Sequence, residues 1–324
     1  MVAIDRRTLL QGIGAIGAGA LLGGCGRQAE TTAGTPFFER IGKPIGLQTY
    51  ALGPEAGEDP GATFAMLKSM GFGEVELPNL YGRSATEIRA LADAAGMPLA
   101  SLHVHAVAMT PDNDFVLGDN PTRVIDAAEE LGLSQLIVPI PVIPEGFAMR
   151  EGEGFAAAME RAFYGVGIEH WQAMAQRFNR LGESVKDRGM VLGYHNHNLE
   201  FAPVDDTTGW DVLMAETDPD LVKVQLDIGW VTQAGLDPAE ELVKLAGRVI
   251  SLHVKDVAEG FTPTYYFNPD PIEVGDGIID WSVVLPTAET IGVDHYFVEQ
   301  EPPFTLPRRE AMQRSLDFLT AFTV

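Results

Sequence analysis

The chain has 324 residues, 46% of them apolar, which is enough for a sizeable core and excludes a disordered protein. Lys and Arg total 22 against 46 Asp and Glu, a formal charge of -24, so the surface repels phosphate backbones and anionic lipid headgroups. Nucleic acid is excluded as a partner on that ground.

The first segment reads as an address. "DRRTLLQGIGAIGAGALLGGC" carries a twin arginine, Arg6 and Arg7, before a short Gly/Ala-rich stretch too small-residued for a membrane span. It resembles a twin-arginine export signal over residues 1–25, which makes the expected location periplasmic. Gly12, Gly14 and Gly17 spell a dinucleotide-binding pattern, but neither a strand nor a strand–turn–helix unit surrounds them, so that reading is rejected. Cys25 is the only cysteine, which rules out an intramolecular disulfide. Its place after "LLGG" resembles a lipobox, so the expected membrane contact is a lipid anchor at Cys25. Residues 26–43 are expected to be a tether, and 44–324 a single catalytic domain.

From residue 44 onward, eight short β-branched runs alternate with amphipathic stretches. The predicted strands are "PIGLQTY", "GEVEL", "PLASLHV", "SQLIVPI", "MVLGYH", "LVKVQLD", "VISLHVK" and "HYFVEQE". Most of the helical stretches between them open on Ser, Thr or Asp-Pro and close on Gly. Eight such units over one domain predict an α/β protein, a (β/α)8 TIM barrel, with an open doubly wound sheet as the rival. Two long connections, after the fourth and seventh strands, are expected to be ordered lids over the mouth.

The polar residues gather at the strand ends. Glu76 ends the second run, His103 and His105 the third, and His195 and His197 the fifth. Asp227 ends the sixth, His253 and Lys255 the seventh, and Glu299 and Glu301 the eighth. A barrel brings these to one rim, where carboxylates without an Arg cluster repel one another unless a cation intervenes. Imidazole nitrogen with carboxylate oxygen suits a divalent metal ion such as Mn2+, Zn2+ or Co2+ better than Ca2+.

"YHNHNLEF", "LDIGWVTQAG", "SLHVKD" and "FVEQE", in this order, resemble the xylose isomerase-like TIM-barrel superfamily, which includes sugar isomerases and epimerases, inosose dehydratases and abasic-site endonucleases. In its keto-sugar epimerases, Glu, Asp, His and Glu from the last four strands hold the metal. The resemblance implies Asp227, His253 and Glu299 as metal ligands. The strand-five glutamate is replaced, with His195 in its place, which puts the epimerases' two-glutamate acid–base pair in doubt.

The expected function is metal-dependent isomerisation or epimerisation of a sugar through an enediolate. A keto-sugar lyase or dehydratase is the alternative, which the strand-five histidines favour. His197, Lys255 and Glu299 are the candidate catalytic groups, with His197 as base and Lys255 as electrophile or acid. A salt bridge to Asp256 or Glu299 is the competing role for Lys255. Glu76, His103, Trp230 and Glu301 are the candidate substrate-binding groups. Trp230 reads equally as a stacking surface or a core residue, and Glu301 as a carboxylate orienting a ligand histidine. No Gly-rich loop or Arg/Lys cluster offers a phosphate site, so a non-phosphorylated sugar is the expected small-molecule partner. A metal-free sugar-binding lipoprotein is a less favoured reading, and a homo-oligomer is left open.

Overall fold

The computed structural model describes residues 34–109 and 114–324. The export segment and Cys25 lie outside the described residues. Eight parallel strands form a closed barrel: β1 Gly46–Gln48, β2 Glu74–Leu77, β3 Leu99–His103, β4 Gln135–Val138, β5 Val191–His195, β6 Val222–Asp227, β7 Val249–Val254 and β8 His295–Val298. Each strand pairs with its sequence neighbours, and β1 closes the ring by pairing with both β2 and β8. The barrel excludes the open-sheet rival, and each strand falls within its predicted run.

Eight helices follow the strands: α1 Pro60–Met70, α2 Ala85–Ala95, α3 Thr122–Leu131, α4 Ile168–Lys186, α5 Gly209–Glu216, α6 Pro238–Lys244, α7 Trp281–Ile291 and α8 Arg308–Ala321. Local chemistry sets their ends. Asp59 caps α1 with Pro60 at the first helical position, and Ser84 and Glu87 form a reciprocal capping box on α2. Gly96 ends α2 in the left-handed region at φ 63°, a conformation that favours glycine. Their apolar faces pack on the barrel, where Ile88, Val124, Phe178 and Leu285 are buried.

The expected tether ends sooner than residue 43. Phe37–Ile41 is a short helix with Phe37 and Phe38 buried, and the Phe37 amide donates to the Phe322 carbonyl. Burying two phenylalanines contributes about 1.5–3 kcal/mol each, so this segment belongs to the domain.

Both long connections carry structure. The first contains a helix, Phe155–Phe163, and the second a two-stranded pair, Asp256–Val257 with Pro271–Ile272. Buried Asp256 anchors the second, accepting from the amides of Val257, Gly275 and Ile279 and from the Trp281 indole. This occupation shows that Asp256 is not the partner of Lys255. Among the described residues, no helix is long and apolar enough to cross a membrane.

Candidate active site

Strand alternation turns every second residue into the barrel, and the inward residues nearest the strand C-termini build the site. Its floor is the carboxylate of Glu76, which is fully buried. It accepts from Gln48 Nε2 at 2.9 Å, Ser101 Oγ at 2.5 Å, Gln225 Nε2 at 2.8 Å and His253 Nε2 at 2.7 Å, with His103 Nε2 at 3.0 Å. Burial alone would raise its pKa, but His103 and His253 outweigh burial and hold it well below the usual carboxylate range. Glu76 does not line the cavity above, so the structure places it beneath the site, as a support, and not against a substrate.

Above this floor, Asp227 and His253 are register partners on β6 and β7. His253 turns Nε2 to Glu76, which leaves Nδ1 toward Asp227 Oδ2 at 3.6 Å, longer than a hydrogen bond. Ligand atoms of Asp227, His253 and Glu299 all lie within 4.8 Å of one another. Asp227 Oδ2, His253 Nδ1 and Glu299 Oε2 are buried and have no aligned hydrogen-bond partner. His195 approaches the group with Nε2 3.9 Å from Asp227 Oδ2, while its Nδ1 lies 3.1 Å from Gln225 Oε1. A second triad, His103, His195 and His253, also lies within 4.8 Å, but two of its members already bond Glu76.

Lys255 is buried beside the carboxylates. Its Nζ is 2.9 Å from Asp227 Oδ2, 2.5 Å from Glu299 Oε2 and 2.6 Å from Glu301 Oε2, at ion-pair distance but without hydrogen-bond alignment. It also sits 4.9 Å over the Trp230 ring, within cation–π range. Its aliphatic stem requires Gly229, because a Cβ there would meet Lys255 Cγ at 2.6 Å. Lys255 is buried in this network of carboxylates, two of which, Glu299 and Glu301, line the cavity, so the salt-bridge role is the one the geometry displays. Glu301 orients no histidine: it accepts from Trp230 Nε1 at 3.2 Å and pairs with Lys255.

The charges shape one another. Burial lowers Lys255, but Asp227, Glu299 and Glu301 overcome this and hold its ammonium charged. Burial, reinforced by Glu301, pushes Glu299 up to about 8. Burial lowers His195 and His197 well below the usual histidine range, with Lys255 adding to the effect, so both rings are neutral. Burial opposes charge on His253 too, but Asp227 and Glu76 bring it to about 9.

A cavity of about 580 Å³ opens over these groups. His103, His105, His195, His197, Trp230, His253, Glu299 and Glu301 line it, together with Tyr50, Phe155 and Phe267. Both long connections supply walls. His197 lies beyond the end of β5, yet it is buried, with its ring 4.8 Å from His195, 5.3 Å from Trp230 and 4.5 Å from Phe267. Trp230 is both things its position suggested, a buried residue and a wall of the cavity.

Sequence reading missed Gln225, Gln48 and Ser101, although each lies two residues from a polar strand-end group or pairs beside one. Glu200, just beyond β5, is a further case. That residue is fully buried, with its carboxylate accepting from Tyr194 Oη at 2.6 Å and from the His197 amide at 3.1 Å. Burial pushes it up to about 7. It braces the turn that carries His197 and stays outside the converging set.

The sequence pattern of the family described as a xylose isomerase-like TIM barrel matches residues 64–322. The chain belongs to this family. It is 27% identical over 261 residues to an inosose dehydratase of Clostridium beijerinckii, covering 75% of this chain and 83% of that one. Its fold resembles a sugar phosphate isomerase/epimerase of Parabacteroides distasonis, with TM-score 0.67, 24% identity, and coverage of 86% and 94% of the two chains. It also resembles a 3-keto-D-glucoside 4-epimerase of E. coli, with TM-score 0.59, 17% identity and coverage of 86% and 98%. Membership makes the chain an enzyme of a sugar-related family, with Asp, His and Glu groups that could hold a metal ion.

Proposed function

We propose that the protein is a metal-dependent lyase or dehydratase that acts on a non-phosphorylated keto-sugar, removing a proton beside the carbonyl and expelling a neighbouring oxygen. The observation that carries this reading is the convergence of Asp227, His253 and Glu299, whose ligand atoms lie within 4.8 Å of one another beside the cavity, with His253 Nδ1 buried and unpartnered. The donor set fits a divalent ion: Glu76 on His253 Nε2 is the carboxylate–histidine arrangement that orients a ligating imidazole. Asp227, His253 and Glu299 would hold the ion, with His195 as the fourth ligand; Mn2+, Zn2+ and Co2+ suit these donors. When bound, a divalent ion polarises a carbonyl oxygen and stabilises negative charge developing on it.

The chain's own residues supply the rest. His197, neutral and with Nδ1 unpartnered, stands in the cavity wall to take the proton from the carbon. The proton that His197 takes is the one it returns to the departing oxygen, while Glu301, also in the wall, accepts a hydrogen bond from a sugar hydroxyl. Trp230 and Phe267 offer apolar faces to a sugar ring and exclude water. Among the described residues, no Arg or Lys lines the cavity, which supports a substrate without phosphate.

The lyase reading is favoured over epimerisation because β5 contributes His195 where the two-glutamate pair needs a carboxylate, and Glu200 is engaged with Tyr194 and His197. Isomerisation or epimerisation is the second reading. Its support is that His197 and Glu299 reach the cavity from β5 and β8, with β6 and β7 between them, so they address a bound carbon from different sides. The test incubates metal-loaded protein with methyl 3-keto-glucosides in D2O. Elimination with release of methanol supports the first reading, and deuterated epimer or isomer alone overturns it in favour of the second.

From the twin arginine, Arg6 and Arg7, and the lone Cys25, we further propose that the enzyme is exported to the periplasm and anchored through Cys25. A Cys25→Ser protein is then recovered in the soluble fraction, and one that stays membrane-bound refutes the anchor.

A further inference from the structure

A second cavity of about 1060 Å³ adjoins the first over the mouths of β2 and β3. The two share Pro78, Asn79, His103 and His105 in their walls, so they lie side by side. Cavities of about 300–1,000 Å³ accommodate drug-sized ligands, and a single sugar ring fills only part of the inner one. The inner cavity is therefore already generous for a monosaccharide, and the outer one adds room that a monosaccharide does not use.

The outer wall is chemically specific. Its charged groups are each engaged: Arg83 donates to the Gly57 carbonyl at 2.9 Å, Arg123 pairs with Asp114 at 2.9 Å, and Asp126 pairs with Arg188 at 2.9 Å. Glu130 accepts from the Thr86 hydroxyl. Among the described residues, no unpaired cation lines this wall to hold a phosphate or carboxylate, so an anionic occupant is disfavoured. What the junction does offer is His105, whose Nδ1 is buried and without a partner. Burial lowers this ring to about 4, so it is neutral and able to exchange a hydrogen bond with a hydroxyl. At the rim of the inner cavity, Tyr50 and Phe155 are exposed aromatic residues, 52% and 42% accessible, which is how sugar rings are met at an open face.

We propose that the substrate is a glycoside: the keto-sugar ring occupies the inner cavity and a neutral second sugar ring lies in the outer groove, against His105 and α3. The proposal rests on the reading of the inner cavity as a keto-sugar site and adds the class of substituent that this sugar carries.

The test compares 3-keto-D-glucose with two-ring 3-keto-glucosides of both anomeric configurations, 3-keto-cellobiose and 3-keto-maltose. Binding is read by calorimetry and proton exchange by deuterium uptake from D2O. The full chain is expected to bind one of the two-ring sugars at least about tenfold more tightly than the single ring. Ala127→Trp fills the outer groove from α3, touches nothing in the inner cavity, and is expected to abolish that preference while single-ring affinity stays unchanged. Arg123→Trp, at a more exposed position on the same helix, serves if Ala127→Trp does not fold. Equal or weaker binding of both two-ring sugars, or a preference that survives both variants, overturns the proposal. A preference that behaves as expected, with neither elimination nor deuterium uptake in any sugar, leaves the subsite standing and refutes the catalytic reading instead.

Discussion

At the lower end of the barrel, Glu74 of β2 faces His295 of β8, with Oε1 3.0 Å from Nδ1. Two residues further along the same strand and face, Glu76 meets His103 and His253. The residue types are the same and the outcomes differ. The lower pair is complete in itself: His295 stacks on Phe297 at 5.9 Å, and neither His295 nor Glu74 keeps a buried polar atom without a partner. The upper carboxylate accepts from four donors and pairs with His103, and above it His253 Nδ1 has no partner while Asp227 Oδ2 and Glu299 Oε2 meet only the unaligned ammonium of Lys255. A satisfied polar pair in a barrel is architecture. A satisfied support beneath unsatisfied groups marks a place where something else binds.

Three substitutions sharpen this contrast. The largest effect is expected from Glu76→Ala, which removes the acceptor of four buried donors and should cost about 3–5 kcal/mol in urea unfolding. Glu74→Ala, the matched change below, should cost only about 1 kcal/mol. Similar losses at the two sites would remove the distinction between them. Next, Lys255→Met leaves Asp227, Glu299 and Glu301 without their ammonium and should lower turnover of a keto-glucoside about a hundredfold, with the fold retained by circular dichroism. Undiminished turnover would show that these carboxylates need no positioning by Lys255.

The smallest effect concerns pH. Burial pulls the His295 pKa down, but Glu74 more than offsets it, so the folded value lies above the ordinary one. A raised histidine pKa gives stability that is fully present below the unfolded value, about 6.5, and is lost as pH rises through the folded value. His295→Gln should therefore be less stable than the parent by about 1 kcal/mol in mildly acidic solution, with the gap closing as the solution turns alkaline. A gap that widens with rising pH would have the wrong sign.

The barrel was legible because each strand is a short apolar run bounded by helix caps and Gly stops, signals that sit next to one another in the chain. The strand-end residues were legible for the same reason, since alternation puts Asp227, His253 and Glu299 on the inner face. What escaped was the division of labour among them. Whether Glu76 touches a ligand or supports His253 depends on Gln225 and Ser101, which come from other strands. Lys255 pairs with Asp227 and Glu301 across three strands, and no local spacing carries that. Phe37 and Phe38 were read with the tether because the Thr/Gly-rich stretch before them is featureless, whereas their core partners, such as Tyr296 and Phe322, lie at the other end of the sequence.

The central claim is that the upper cluster is a metal site, and elemental analysis of the purified full chain tests it most directly. After saturation with Mn2+, Zn2+ or Co2+ and removal of excess, the account predicts about one tightly held ion per chain in the parent and none in folded His253→Ala. Equal metal content in the two proteins, or a parent that retains none while still exchanging its substrate's proton at full rate, would contradict it.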